Sequence, residues 1–251
     1  MAIASNLKAT QNSLPKEVTL VAVSKTKPNT AILEAYQAGQ RIFGENKVQE
    51  LAQKSEKLPK DIAWHMIGHL QTNKVKFIAP FVSLIHGVDS LKLLKEINKR
   101  AEQNNRIIDC LLQVHIASES TKFGFGLSEV TSALNQAEEF KNIRITGLMG
   151  MATFTDDTQQ VVNEFKSLKT VFDSIKNANK TSYVNTNQNS SGSSTEYLSS
   201  QYTNRIMQKT IKTRAREANL KFHSHFVPSK NLSSEDENLL ASKPKPQQMQ
   251  T

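Results

Sequence analysis

Up to about residue 178 the chain alternates between two patterns. Short apolar runs rich in β-branched residues read as buried strands, and longer stretches repeat their apolar residues at helical spacing. The runs near residues 18–24, 41–44, 62–67, 81–86, 107–116 and 143–149 predict six strands. Between them, Thr30–Ala38, Glu45–Lys57, Thr72–Ile78, Leu91–Asn104 and Leu127–Phe140 predict helices. Residues 2–13 are weakly helical, and Asp156–Lys176 closes the series with Val161, Val162, Phe165, Leu168, Val171, Phe172 and Ile175 in register. Gly39 marks a helix stop, and Val88-Asp89-Ser90 a helix start. Strands separated by helices pair in parallel through right-handed crossovers. The pattern therefore predicts an α/β sheet or a (β/α)₈ barrel.

The pattern then stops. Asn179–Ser200 is dominated by Asn, Ser, Thr and Gln around Ser190-Ser-Gly-Ser-Ser194, which is linker composition. Beyond it, Ile206–Leu220 reads as a basic helix and Lys221–Val227 as a short strand. The expected organisation is a barrel domain over residues 1–178 and a polar, basic, largely disordered tail over 179–251.

Charge and cysteine content add limits. The net charge is +9, of which the tail supplies +5. So diffuse a charge suits solubility and weak polyanion attraction, not sequence-specific nucleic-acid binding. Cys110 is the single cysteine and lies in an apolar run, so it reads as structural. No apolar run reaches the ~18 residues of a membrane span, and no secretory h-region opens the chain. A cytoplasmic location is expected.

The most reactive placement is Lys25 in Val21-Ala-Val-Ser-Lys-Thr-Lys-Pro28, at the carboxyl end of the first strand. Ligands of α/β folds sit at that end. Its amine can form a Schiff base with an aldehyde when neutral, a form favoured by burial or by a neighbouring cation such as Lys27. On spacing alone, Ser-Lys-Thr-Lys is more often a solvated charged turn than a reactive site. His65 and His69 are four apart, but Gly68 separates them and no metal site is expected. His86 and His115 read as core or rim residues. Asp156-Asp157 reads as a helix cap. Met149, Met151 and Phe154 suit either a pocket lining or core packing.

Taken in order, several of these runs resemble the pyridoxal phosphate homeostasis protein family. They are Ala22-Val-Ser-Lys-Thr-Lys-Pro28, Phe43-Gly-Glu-Asn46 with Val48-Gln49-Glu50, and Trp64-His65 with Ile67-Gly68. Leu70-Gln71 with Asn73-Lys74, Thr121-Lys122 with Gly124-Phe125, and Gly147-Leu148-Met149 complete the set, which covers about residues 1–178. The resemblance implies a single-domain version of the alanine racemase N-terminal barrel, here with about six of its β/α units. It further implies pyridoxal 5′-phosphate (PLP) held as a Schiff base on Lys25, with Asn46 beside the ring. The implied role is a carrier or regulator of PLP, in contact with PLP-dependent client enzymes, without catalytic residues. The family's seventh and eighth strands, with their phosphate-holding glycines and an arginine, have no match after residue 178. Two open sheet edges and an impaired cofactor site are the expected result, the tail being read as an out-of-frame or recombined end. Two alternatives stand beside this reading: a racemase-like enzyme on amino acids, and a non-binding remnant with a polyanion-attracting tail.

Overall fold

The computed structural model describes residues 2–16, 18–119, 123–186, 207–209 and 221–226. After helix α1 (Ala2–Asn12), five β/α pairs follow in order. They are β1 (Thr19–Val23) and α2 (Asn29–Gln37), β2 (Ile42–Glu45) and α3 (Val48–Lys57), β3 (Ala63–Met66) and a 3₁₀ helix (Thr72–Phe77), β4 (Leu84–Val88) and α4 (Leu91–Gln103), and β5 (Ile108–Val114) and α5 (Val130–Ala137). The sixth pair is β6 (Ile143–Gly150) with α6 (Thr158–Thr186). All six strands pair in parallel in chain order, giving the expected alanine-racemase-like α/β architecture of six β/α units.

The two edges of this curled sheet are met by short strands from the tail. β7 (Met207–Lys209) lies parallel to β6, and β8 (Lys221–Phe226) lies antiparallel to both β7 and β1, which closes the ring. β8 falls on the run read as a strand. Met207–Lys209 is extended where a basic helix was expected: pairing with Leu148–Gly150 of β6 overrides its local helical pattern.

Two layers of apolar side chains support the ring. On the inner face Leu84, Leu111 and Met149 form a small buried cluster. Val21 and Ile67 share that face, because a Cβ built on Gly44 would touch both. The outer face carries the main core, in which Phe43, Trp64, Met66, Ile85 and Leu112 pack against Leu51, Leu94, Ile97 and Leu168 of the helices. Cys110 belongs to this outer core, and burial pushes its thiol far up, so it is a packing residue.

Local chemistry sets the element ends. Gly39 has φ +99°, and Gly39 N–H and Gln40 N–H donate to Tyr36 and Ala35 carbonyls, so it ends α2 as its sequence position suggests. Asp157 Oδ1 accepts from the Gln159 and Gln160 N–H groups at 2.9 and 3.2 Å, which caps α6. β4 starts later than its apolar run because Ile78, Ala79 and Val82 are buried in turns; the Arg106 guanidinium fixes those turns through the Ala79 and Val82 carbonyls. Ser90 Oγ accepts from Leu93 N–H at 3.4 Å at the start of α4. Ser90→Ala is expected to lower stability by about 1 kcal/mol in urea denaturation, and an unchanged midpoint would show that this long bond contributes nothing.

Candidate functional site

The site lies at the carboxyl ends of β1 to β4. β1 and β2 pair through Ala22 with Phe43 and Val23 with Gly44. Continuing that register by one residue places Ser24 beside Glu45. Ser24 N–H donates to the Gly44 carbonyl at 3.0 Å, which extends the pairing one residue beyond the strand. Lys25 and Asn46 are both half-buried. The two residues singled out in the sequence each follow a strand of this pair, Lys25 two residues past the end of β1 and Asn46 one residue past the end of β2.

Lys25 occupies the second position of a tight turn. Lys27 N–H donates to the Ser24 carbonyl at 3.0 Å, and Thr26 has φ 64°. Positive φ at the third turn position is a glycine preference, and it is uncommon for a β-branched residue. Pro28 follows in extended conformation and leads into α2.

Beneath the turn lies a charged cluster that composition alone did not single out. Glu45 is fully buried, and its Oε1 accepts from Ser24 Oγ at 2.6 Å and from Lys54 Nζ at 2.7 Å. Lys54, itself buried, also donates to Glu50 Oε1 at 2.7 Å and to the Ser24 carbonyl at 2.8 Å. Glu50 Oε1 accepts from Thr26 N–H at 2.6 Å. Burial pushes the Glu45 carboxyl up, against the hydrogen bonds from Lys54 and Ser24. Burial also pushes Glu50 up, but its bonds from Lys54 and Thr26 and the nearby cations outweigh this and hold it low. The i,i+4 spacing of Glu50 and Lys54 and a glutamate inside the apolar run of β2 were the available signals.

The inner face at this level is polar. His65 lies in β3, and His86 Nε2 is 3.0 Å from its Nδ1, with the rings edge to face at 5.0 Å between centroids. Burial lowers the His65 pKa to about 3, so this imidazole is neutral. Gln113, also buried, donates to the Phe123 carbonyl at 2.8 Å and ties the loop after β5 to the mouth. Phe123 stacks on His69 at 4.4 Å, and His69 Nδ1 lies 3.1 Å from Asp89 Oδ2. His65 and His69 therefore have different partners. Among the described residues no group of three or more His, Cys, Asp or Glu is placed to hold a metal ion. Met149 is core, whereas Met151 and Phe154 are exposed near the end of β6. Thr121, Lys122 and the Ser190–Ser194 run lie outside the described residues.

This set of groups is suited to an aldehyde ligand. Half-buried Lys25 and Asn46 stand just past the ends of β1 and β2, in a barrel whose inner layer at this level holds the polar His65, His86 and Gln113. Gly68 lets the chain after β3 lie close against Asn46, since a Cβ there would stand 2.5 Å from the Asn46 carbonyl oxygen. Among the described residues no helix is long and apolar enough to cross a membrane.

Comparison with known proteins agrees with this fold. Residues 1–205 match the family described as alanine racemase, N-terminal domain. The pyridoxal phosphate homeostasis protein of Helicobacter pylori is 42% identical over 166 residues, covering 64% of this chain and 74% of that protein. That of Aquifex aeolicus is 38% identical over 157 residues, covering 62% and 69%. Among solved structures, PipY of Synechococcus elongatus without PLP aligns at TM-score 0.67 and 34% identity, covering 70% of this chain and 83% of that one. The same protein with PLP bound aligns at 0.61, covering 67% and 79%. Alanine racemase of Clostridium difficile, at 13% identity and TM-score 0.59, shares the fold. With its ordered motifs, its six β/α units and relatives of this similarity, the chain belongs to the pyridoxal phosphate homeostasis protein family, on the alanine racemase N-terminal fold.

Proposed function

We propose that this protein binds PLP on Lys25 and serves intracellular PLP homeostasis; its relatives are named for pyridoxal phosphate homeostasis. The observation that carries the reading is half-buried Lys25 just past the end of β1, with Asn46 following β2, the strand paired with β1. The PLP-bound state of PipY, at 34% identity, supports it. When bound, PLP supplies an electrophilic aldehyde. The chain's part is to present the Lys25 amine, to set Asn46 beside the ring, and to keep the floor of the mouth uncharged through His65.

A carrier role is favoured over a racemase role. Racemisation on this fold needs a second acid or base opposite the lysine, a role suited to tyrosine. Tyr36 lies on α2 outside the barrel, with its hydroxyl donating to Asp61 at 2.7 Å. The remaining tyrosines, Tyr183, Tyr197 and Tyr202, follow residue 178. The protein would act in the cytoplasm, exchanging PLP with PLP-dependent enzymes.

Adding PLP to the purified chain is expected to produce the visible absorbance of lysine-bound cofactor. Borohydride should then fix the ring to Lys25, as read by peptide mass spectrometry. Lys25→Ala should abolish both signals. A parent chain that gains no adduct at Lys25, or a Lys25→Ala variant that keeps the band, refutes this reading. Salt-sensitive polyanion binding in place of PLP uptake would instead favour the remnant alternative.

A further inference from the structure

The two peptide groups that flank Lys25 are held by one turn of a neighbouring helix. Lys54 of α3 donates to the Ser24 carbonyl, which belongs to the peptide entering Lys25. Glu50 of α3 accepts from Thr26 N–H, which belongs to the peptide leaving it. Glu50 and Lys54 are bonded to each other at 2.7 Å. The backbone before and after the lysine is therefore fixed by the two members of a single ion pair. The grip comes from the helix side of the sheet. Ser24 is bonded to Glu45 on that same side.

Stability alone is a weak reason for such a cluster. A buried ion pair is often no more stabilising than apolar packing, because both ions must be taken out of water. This one also carries a cost: Glu45 Oε2 is buried and has no hydrogen-bond partner. It further surrounds a strained residue. Thr26 at φ 64° persists only where its surroundings over-determine it, and the charge-assisted bond from its N–H to Glu50 supplies that constraint. Cost and strain converge on the residue that carries the amine.

We propose that the Glu50–Lys54 pair, anchored on Glu45, is a backbone clamp that sets where the Lys25 amine stands for capture of the PLP aldehyde, an inference resting on the PLP reading above. Glu50 and Lys54 are positioning residues, acting on the ligand through Lys25. Thr26 is the joint they hold: without the clamp the turn relaxes out of its left-handed conformation and the amine leaves the mouth.

The test uses the full chain and two readouts. Glu50→Ala is expected to lower PLP affinity, titrated by visible absorbance, about tenfold, and to speed amide hydrogen exchange at Thr26 by a similar factor. Its far-UV circular dichroism should match the parent. Adding Thr26→Gly to Glu50→Ala should recover about threefold of the affinity, because glycine takes positive φ without support. Glu50→Gln keeps an acceptor for Thr26 N–H and should fall between parent and Glu50→Ala; it replaces the alanine variant if that one does not fold. A folded Glu50→Ala protein with the parent's PLP affinity overturns the proposal, even if it melts earlier, because that pattern marks a merely stabilising pair. If the parent forms no Lys25 adduct, the PLP reading fails, and Thr26 exchange decides the clamp by itself: unchanged exchange overturns it, faster exchange upholds it.

Discussion

Lys54→Met is expected to lower unfolding free energy by about 3 kcal/mol at pH 7, one of the two largest losses foreseen for a single substitution in this protein. Methionine fills most of the volume, so the loss is electrostatic. It strands Glu45, whose Oε1 keeps only the Ser24 hydroxyl, and takes from Glu50 the cation bonded to it. The pH dependence identifies the mechanism. Burial already holds the Glu45 carboxyl above its ordinary value, and Lys54 is the first of the groups opposing that rise. In the variant the folded-state value climbs further. A carboxyl raised on folding keeps its proton while the unfolded chain, titrating from about 4.3, loses it. Stability therefore falls as pH rises from the unfolded value to the folded one. Glu50 adds to this. In the parent it is held low, so it contributes stability that is present above the unfolded value and is lost as pH falls through the folded one. Losing Lys54 removes part of that contribution at neutral pH. The deficit should be largest at pH 8 and should shrink toward pH 5. Urea denaturation of parent and variant at both values measures it, and equal deficits would mean that packing, not charge, is what was lost.

The second large effect is steric. Gly68→Ala is expected to cost about 3 kcal/mol, at the upper end of ordinary overpacking. A Cβ there would stand 2.5 Å from the Asn46 carbonyl oxygen, 2.9 Å from its Cα and 3.0 Å from its carbonyl carbon. All three are backbone atoms, so no side-chain rotation relieves the clash. The loop after β2 must move, and Asn46 moves with it. Chemical denaturation should show the loss, and PLP titration should show weakened uptake in the protein that still folds. A variant that melts with the parent would show that β2 and β3 can separate at this end without penalty.

Much of this architecture was legible in the order of apolar runs. Each of the six strands falls on a short, mostly apolar run, and each forms within a few residues of its expected place. Helix ends were less legible. α5 is confined to Val130–Ala137, whereas its pattern begins at Leu127, because Glu129 folds back to accept Gly126 N–H. α6 continues to Thr186, past the last apolar position of its stripe, as no breaker stands in the way. That Lys25 and Asn46 follow neighbouring strands comes from the adjacency of β1 and β2, which sequence order implies for a parallel sheet. The cluster of Ser24, Glu45, Glu50 and Lys54 was not legible in that way. It joins a strand end, a neighbouring strand and a helix, and charged residues at i,i+4 on a helix read from sequence as a solvated face. What buries them is the approach of α3 to the sheet, a tertiary fact. The same holds for His65 and His86, which sit in different strands and meet because β3 and β4 pair.

That histidine contact has a practical consequence for spectroscopy. Imidazoles near a cofactor commonly titrate between pH 5 and 8 and blur the ionisation of the group under study. His65 changes charge only near pH 3, well below that window. A spectrophotometric titration of the occupied site from pH 5 to 9 therefore starts from a baseline to which His65 adds no inflection, and the ionisations it records belong to groups other than this ring.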